Sequence, residues 1–250
     1  MRHIDQIAII LTNPQMGENI GAAARAMANF GLRDLRIVQP RDGWPNQKAI
    51  DMAAGAFDHM LPPQIFETFE EAVKDINKLY ATTARARDMV KPVFSPDTAI
   101  DDGLGIVAQE GLKVGFVFGP ERTGLENAAL SRCHAIINVS TAADFPSLNL
   151  GQCVLLICHA ISNAAQKRED KAGEDKALPM GDSYPVTQEK MDAFLSRLEG
   201  ELDRTGFFKS ESPKPSMVRN IRNIFMRGDL SDQEVRTLHG ILSALIKKRD

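Results

Sequence analysis

The chain has 250 residues, 43% of them apolar, and a formal net charge of -3. That length and apolar content suit one sizeable domain with its own core plus something smaller. The slight acidity excludes a generic polyanion binder, which would be basic overall, so any contact with nucleic acid must come from a local basic patch.

No basic-then-apolar leader follows Met1, and the apolar runs are too short and too often broken to span a bilayer. The expectation is therefore a cytoplasmic protein with no membrane partner. The first element is a short β-branched run at residues 6–11, ended by a Thr12-Asn13-Pro14 turn, which reads as a buried parallel strand. A helix follows. Asn19 is placed to cap it, Ala22, Ala23, Ala24, Ala26, Met27 and Ala28 fill it, and Gly31 stops it; residues this small suit close packing. Further strands are predicted at 35–38, 79–83, 114–118 and 135–139, with helices at 47–54, 70–76 and 125–132. Strands alternating with helices argue for an α/β domain with a mainly parallel sheet, and in such folds ligands sit at the carboxyl ends of the strands. That rule selects four loops, at residues 12–21, 82–87, 119–124 and 140–149, which hold most of the notable polar residues.

The last of these loops runs through Pro146, Ser147 and Asn149 straight into an apolar helix with no charge until Lys167. Ser147 or Asn149 can cap that helix, and a helix apolar all round is expected to be buried, in the core or against another subunit. Cys153 and Cys158 lie in it. With Cys133 they lack paired spacing, so all three read as core thiols and no metal site is expected from them.

The first domain is set at residues 1–165. Residues 166–186 turn polar and read as a flexible linker. Residues 187–250 then form a helical extension with helices at 187–202, near Pro215 and from Ser231, whose Glu234 completes a capping box. Apolar stripes on the three are expected to pack internally or on a partner. Arg219, Arg222 and Arg227 lie off the stripe of the middle helix and, with Lys214, make a basic face with no acidic residue among them. Such a face is either an RNA contact or plain solvated surface.

Three blocks at the predicted ligand edge carry candidate chemistry. Gly17-Glu18-Asn19-Ile20-Gly21 permits close backbone approach, and Arg25 follows where its fork can reach a phosphate near the helix start. Gly119-Pro120-Glu121-Arg122-Thr123-Gly124-Leu125 joins a strand to a helix, either as ligand loop or as solvated turn. Thr82-Thr83-Ala84-Arg85-Ala86-Arg87 sets two hydroxyls and two arginines after a strand, which suits a phosphate-bearing partner. The five histidines show no ligand spacing, and no nucleophile elbow is present.

In this order and at these separations, Asn13-Pro14 with Gly17 through Gly31, Phe118 through Leu125, and Ser147-Leu148-Asn149-Leu150 resemble the motifs of the SPOUT superfamily of RNA methyltransferases. The likeness is greatest to its SpoU branch, which methylates ribose 2′-hydroxyls. The tail, with Gly206-Phe207-Phe208, the Arg-rich helix and Leu238-His239-Gly240-Ile241-Leu242, also resembles that of the branch's tRNA enzymes acting on the anticodon loop at nucleotide 32. The resemblance implies a SPOUT-type α/β fold, a parallel sheet with a C-terminal trefoil knot, plus a small C-terminal helical appendage. It also implies a homodimer and S-adenosylmethionine as cofactor.

Carried over by position, the cofactor contacts fall on Thr82, Thr83, Ala84, Gly119, Val139, Pro146, Ser147 and Leu148. Arg25, Asn19, Glu121 and Asn149 fall at the reactive ribose, and Arg85, Arg87, Arg219 and Arg222 are the RNA-binding candidates. Arg25 stays protonated, so the role it is given is to stabilise developing oxyanion charge or to hold the adjoining phosphate. The implied substrate is tRNA or another structured RNA such as rRNA; a non-catalytic RNA-binding module is the alternative of a different class. One departure concerns Glu18, since many members have Gly-Asn where this chain has Gly17-Glu18-Asn19. Asn19, Gly21 and Arg25 keep their mutual spacing.

Overall fold

The structure, a computed structural model, describes residues 4–83, 90–171, 184–208 and 214–247. Ala84, Arg85 and Arg87 lie outside the described residues, as does most of the polar stretch after residue 171. The first strand, β1 (Ile7–Thr12), is buried along its whole length, which is why its sequence is continuously apolar. With β2 (Asp34–Val38), β3 (Gln64–Phe66), β4 (Lys78–Thr82), β5 (Val93–Phe94), β6 (Val114–Phe118) and β7 (Ala135–Ile137) it forms a seven-stranded sheet. The order is β3-β2-β1-β6-β4-β7-β5 and every pairing is parallel.

Alternation along β1 feeds two cores. Ile7, Ile9 and Leu11 join the larger cluster, with α1 (Gly17–Asn29), α2 (Gln47–Ala53), α4 (Pro96–Val107) and α6 (Leu150–Lys171). Ala8 and Ile10 join the smaller one, with α3 (Phe69–Val73) and α5 (Asn127–Ser131). The result is a sheet covered by helices on both faces, as parallel strands require. Gly21 makes the tight α1 and α2 contact possible: a Cβ there would meet the Ala49 carbonyl oxygen at 2.2 Å.

Several features depart from the sequence reading. Met16, not Asn19, is the N-cap residue of α1, and it caps without a side-chain bond, so the helix begins earlier than predicted. The segment from 90 to 113 carries β5 and α4, which no periodicity announces, although Ser95 caps α4 by accepting from the Thr98 amide at 3.2 Å and Pro96 opens it. α6 continues to Lys171, beyond residue 166 where composition predicts the linker to begin. Within the single chain, α6 leaves Leu155 and Leu156 42% and 45% exposed.

Beyond lie α7 (Gln188–Arg204), α8 (Lys214–Met226) and α9 (Asp232–Lys247), which bury a core of their own around Met191, Phe194, Leu195, Met226 and Val235. The predicted capping box is present, Ser231 N–H donating to Glu234 at 2.8 Å and Glu234 N–H to Ser231 Oγ at 3.3 Å. These helices dock on the sheet domain: the Gln188 amide donates to the Ile76 carbonyl at 3.0 Å, Asn223 Nδ2 donates to the Val90 carbonyl at 2.8 Å, and Arg132 pairs with Asp192.

A charge cluster at the amino edge of the sheet ties β2 to the segments that lead into β4 and β6. Arg36, 3% exposed, donates to Asp34 and Asp75, and Lys113 donates to Asp75 at 2.8 Å. Burial alone would push the Asp75 carboxyl up, but the hydrogen bonds from Arg36 and Lys113 hold it well below the usual carboxylate range.

Candidate functional site

The carboxyl edge of the sheet gathers the loops singled out above. Asn13, after β1, sits in the left-handed region at φ 47°, a conformation asparagine tolerates, and so turns the chain toward α1. Thr12 Oγ1 donates to the Phe118 carbonyl at 3.1 Å and locks the end of β1 to the end of β6. Gly119 then allows the β6 loop to fold on itself, because a Cβ there would meet the Leu125 amide nitrogen at 2.3 Å. At the foot of α6, Asn149 caps the helix, accepting from the Gln152 amide at 3.3 Å.

These loops meet in one hydrogen-bonded cluster. Asn149 Nδ2 donates to Asn19 Oδ1 at 2.9 Å, Asn19 Nδ2 donates to Glu121 Oε1, and the Gln15 amide donates to Glu121 Oε2 at 3.2 Å. Asn19, only 6% exposed, is thus the hinge between residues 102 and 130 positions away in sequence. Its side chain serves the cluster and not the helix end. Three of the four groups carried over to the reactive ribose therefore touch in series. Arg25, the fourth, lies further along α1, is exposed, and makes no ion pair among the described residues. Glu18 falls in the first turn of α1, where its carboxylate pairs with Lys48 at 3.2 Å and accepts a backbone hydrogen bond; that bond, first, and the Lys48 contact hold its pKa down.

Beside the cluster lies a cavity of about 320 Å³, in the size range of small-molecule sites. Thr82, Thr83, Gly119, Val139, Pro146, Ser147 and Leu148 all line it, and Glu121 belongs both to its wall and to the cluster. Phe118, Pro120, Gly124 and Leu150, which belong to the motifs above without an assigned contact, and Ile137 and Cys153, which sequence reasoning did not place at the site, complete the lining. Phe118 and Ile137 end their strands, so the rule that ligands sit at carboxyl ends already contained them. Cys153 follows Asn149 by one helical turn and so shares its face. Burial pushes its thiol up to about 11 despite a hydrogen bond with Thr82, so it lines the wall as a neutral SH.

Of the basic candidates on α8, Arg219 is half-buried, while Arg222 turns inward. Its side chain is 13% exposed and pairs with Asp192 at 3.0 Å and Glu199 at 2.9 Å, which neutralises its charge within the helical unit. The predicted basic face is therefore not a continuous open one. Chemically, the arrangement offers amides, one carboxylate and a partly open cavity, with no thiolate among its lining groups. It is equipped to hold and orient two reactants, which is what a direct group transfer needs.

A model described as the SpoU rRNA Methylase family matches residues 6–159, and one described as tRNA methyltransferase TrmJ, C-terminal domain, matches residues 189–250. The tRNA (cytidine/uridine/adenosine-2′-O-)-methyltransferase TrmJ of Pseudomonas aeruginosa is 32% identical over 243 residues, covering 96% of this chain and 93% of that protein. The tRNA (cytidine/uridine-2′-O-)-methyltransferase TrmJ of Photorhabdus laumondii is 33% identical over 244 residues, covering 98% of each. Among solved structures, TrmJ from Z. mobilis superposes with a TM-score of 0.82 at 42% identity, covering 95% of this chain and 98% of that one.

Proposed function

The chain belongs to the SpoU rRNA Methylase family and ends in a TrmJ C-terminal domain, and on that premise we propose how it works as a tRNA ribose 2′-O-methyltransferase. In this reading S-adenosylmethionine occupies the cavity at the carboxyl edge of the sheet, and the acceptor is a cytidine or uridine of the anticodon loop, at nucleotide 32. The observation that carries it is the Asn149–Asn19–Glu121 series sharing Glu121 with the cavity wall, so that an acceptor held by the cluster faces whatever the cavity holds.

The lining suits such a cofactor. Ile137, Val139, Leu148 and Leu150 give apolar walls for a purine, while the Thr82, Thr83 and Ser147 hydroxyls and the loop backbone at Gly119 supply polar partners. Ala84 belongs to the same proposed set by its place after Thr83. Bound there, S-adenosylmethionine supplies an electrophilic methyl on a sulfonium, and a neutral thioether remains once the methyl is on the ribose oxygen and the hydroxyl proton has gone to solvent.

The protein's part is alignment and charge. Asn19 and Asn149 present amides that fix the ribose hydroxyl, Glu121 orients Asn19, and Arg25, permanently protonated, stabilises negative charge on the attacking oxygen or grips the adjoining phosphate.

α6 is read as part of the core of a trefoil knot on its buried side, and its exposed Leu155 and Leu156 as the contact between two copies of the chain. In such a homodimer the basic groups of one subunit grip RNA held at its partner's cavity, with Arg85, Arg87 and Arg219 as phosphate contacts and Arg222 as a brace for the helix that carries Arg219. In this reading the methyltransferase domain runs through the end of α6 at Lys171, and residues 187–250 are the RNA-directed extension. No helix among the described residues is long and apolar enough to cross a membrane, and a cytoplasmic enzyme is the setting proposed.

Calorimetric titration with S-adenosylmethionine tests the cofactor assignment. Saturable one-site binding that Gly119→Ala weakens is expected, whereas RNA binding without cofactor binding would make the chain a non-catalytic RNA-binding module. Sedimentation as a monomer at micromolar protein would contradict the dimer.

A further inference from the structure

We propose that Phe145 is the platform on which the base of the acceptor nucleotide stacks, a nucleobase site adjoining the ribose site; the proposal rests on the RNA-methyltransferase reading above. Phe145 is 78% exposed, more than any other large hydrophobic side chain among the described residues. A ring that far out in water contributes little to the fold, and its position is not arbitrary. It immediately precedes Pro146, Ser147 and Leu148, which line the cavity, in the loop that ends on Asn149 of the cluster.

The turn that presents the ring is built. The Phe145 amide donates to the Ala142 carbonyl at 3.1 Å, and Thr141 Oγ1 donates to the Pro146 carbonyl at 3.3 Å, closing the turn from both sides. Pro146 in turn confines the Phe145 backbone to extended conformations. The backbone that carries the ring is therefore fixed immediately next to the cavity wall.

A ribose hydroxyl comes to a donor set down in the cavity most closely when its nucleotide is splayed out of the stack formed by its neighbours. Proteins that bind such splayed nucleotides replace the lost stacking with an aromatic face. Every base has a π-face, so a phenyl platform accepts cytosine and uracil alike and leaves selection to polar groups. An aromatic ring at the rim, one residue from the cavity wall, meets that requirement.

The test compares full-length Phe145→Ala, Phe145→Leu and Phe145→Tyr with wild type on an anticodon stem-loop RNA. Because the ring is exposed, all three should melt like wild type and bind S-adenosylmethionine equally by calorimetry. KM for RNA should rise about tenfold or more in the Ala and Leu variants and stay near wild type in the Tyr variant. On a stem-loop whose acceptor nucleotide keeps its ribose but lacks its base, wild type and Phe145→Ala should become equivalent.

Equal performance of Leu and Tyr, or an Ala defect that persists in full on the abasic RNA, would overturn the proposal. So would a loss of dimer in Phe145→Ala by sedimentation, which would assign the ring to a subunit contact. If wild type methylates no ribose at all, the underlying enzymatic reading fails; if wild type is active and Phe145→Ala matches it, the platform alone fails.

Discussion

Asn19→Ala removes the middle of the polar cluster while leaving the cavity wall in place, because Asn19 joins Glu121 and Asn149 without lining the cavity. It deletes one hydrogen bond to a carboxylate, worth about 1.5–3 kcal/mol, and one between amides, worth about 0.5–1.5 kcal/mol. Glu121 is half-buried, so water recovers part of its solvation, and a net loss of about 2–3 kcal/mol is expected. Urea denaturation should show this as a lower midpoint with an unchanged slope. Three loops lose their common tie, and misplacing the acceptor by an ångström is enough to cut methyl transfer about 100-fold. Cofactor affinity, read by calorimetry, should stay close to wild type. Asn19→Asp sharpens the test: it sets a second carboxylate against Glu121, and the like-charge repulsion should ease as the pair takes up a proton at lower pH. Wild-type turnover in Asn19→Ala would refute a positioning role for the cluster, and an unshifted denaturation midpoint would refute its role in tying the loops together.

Arg25→Ala should lose methyl transfer yet keep cofactor affinity, since Arg25 is exposed on α1 and is not among the residues lining the cavity; near-normal turnover would contradict this. Gly119→Ala drives a Cβ to 2.3 Å from the Leu125 nitrogen, a backbone atom that cannot swing aside, and should weaken S-adenosylmethionine binding about tenfold or more in a calorimetric titration. Asp75 has a depressed carboxyl pKa in the folded chain, so its contribution is present above its unfolded pKa of about 3.9 and is lost as pH falls toward the folded value. Asp75→Asn should therefore be less stable than wild type at pH 7, by about 1–2 kcal/mol after allowing for a side chain 39% exposed. That gap should begin to narrow below about pH 4 and shrink progressively as the pH falls further.

Much of the frame was legible in the sequence because burial on both faces of a parallel sheet leaves an unmistakable mark. Residues 7–11 and the strand Val114–Phe118 are apolar throughout, and the loops that follow them carry polar residues that form the site. What resisted reading did so for identifiable reasons. β3 and β5 are outer strands of three and two residues, too short to show a period. α4 has clear opening signals in Ser95 and Pro96, but Gly103 and Gly105 inside it weaken its helical pattern. Asn19 has the chemistry of a cap, and only partners 102 and 130 residues distant explain why its amide is turned elsewhere. The same holds for Arg222, whose outward-looking position on α8 gives no hint of Asp192 and Glu199 waiting beneath it. Cys153 is apolar enough to pass for core, and its place on the Asn149 face of α6 becomes meaningful only once the cavity is seen.

The most direct test of the central claim is nucleoside mass spectrometry of tRNA incubated with the protein and methyl-labelled S-adenosylmethionine. The label is expected on the ribose 2′-oxygen of a pyrimidine in the anticodon loop, and its absence is expected with Arg25→Ala. Label on a base, or equal ribose labelling by the Arg25 variant, would contradict the account.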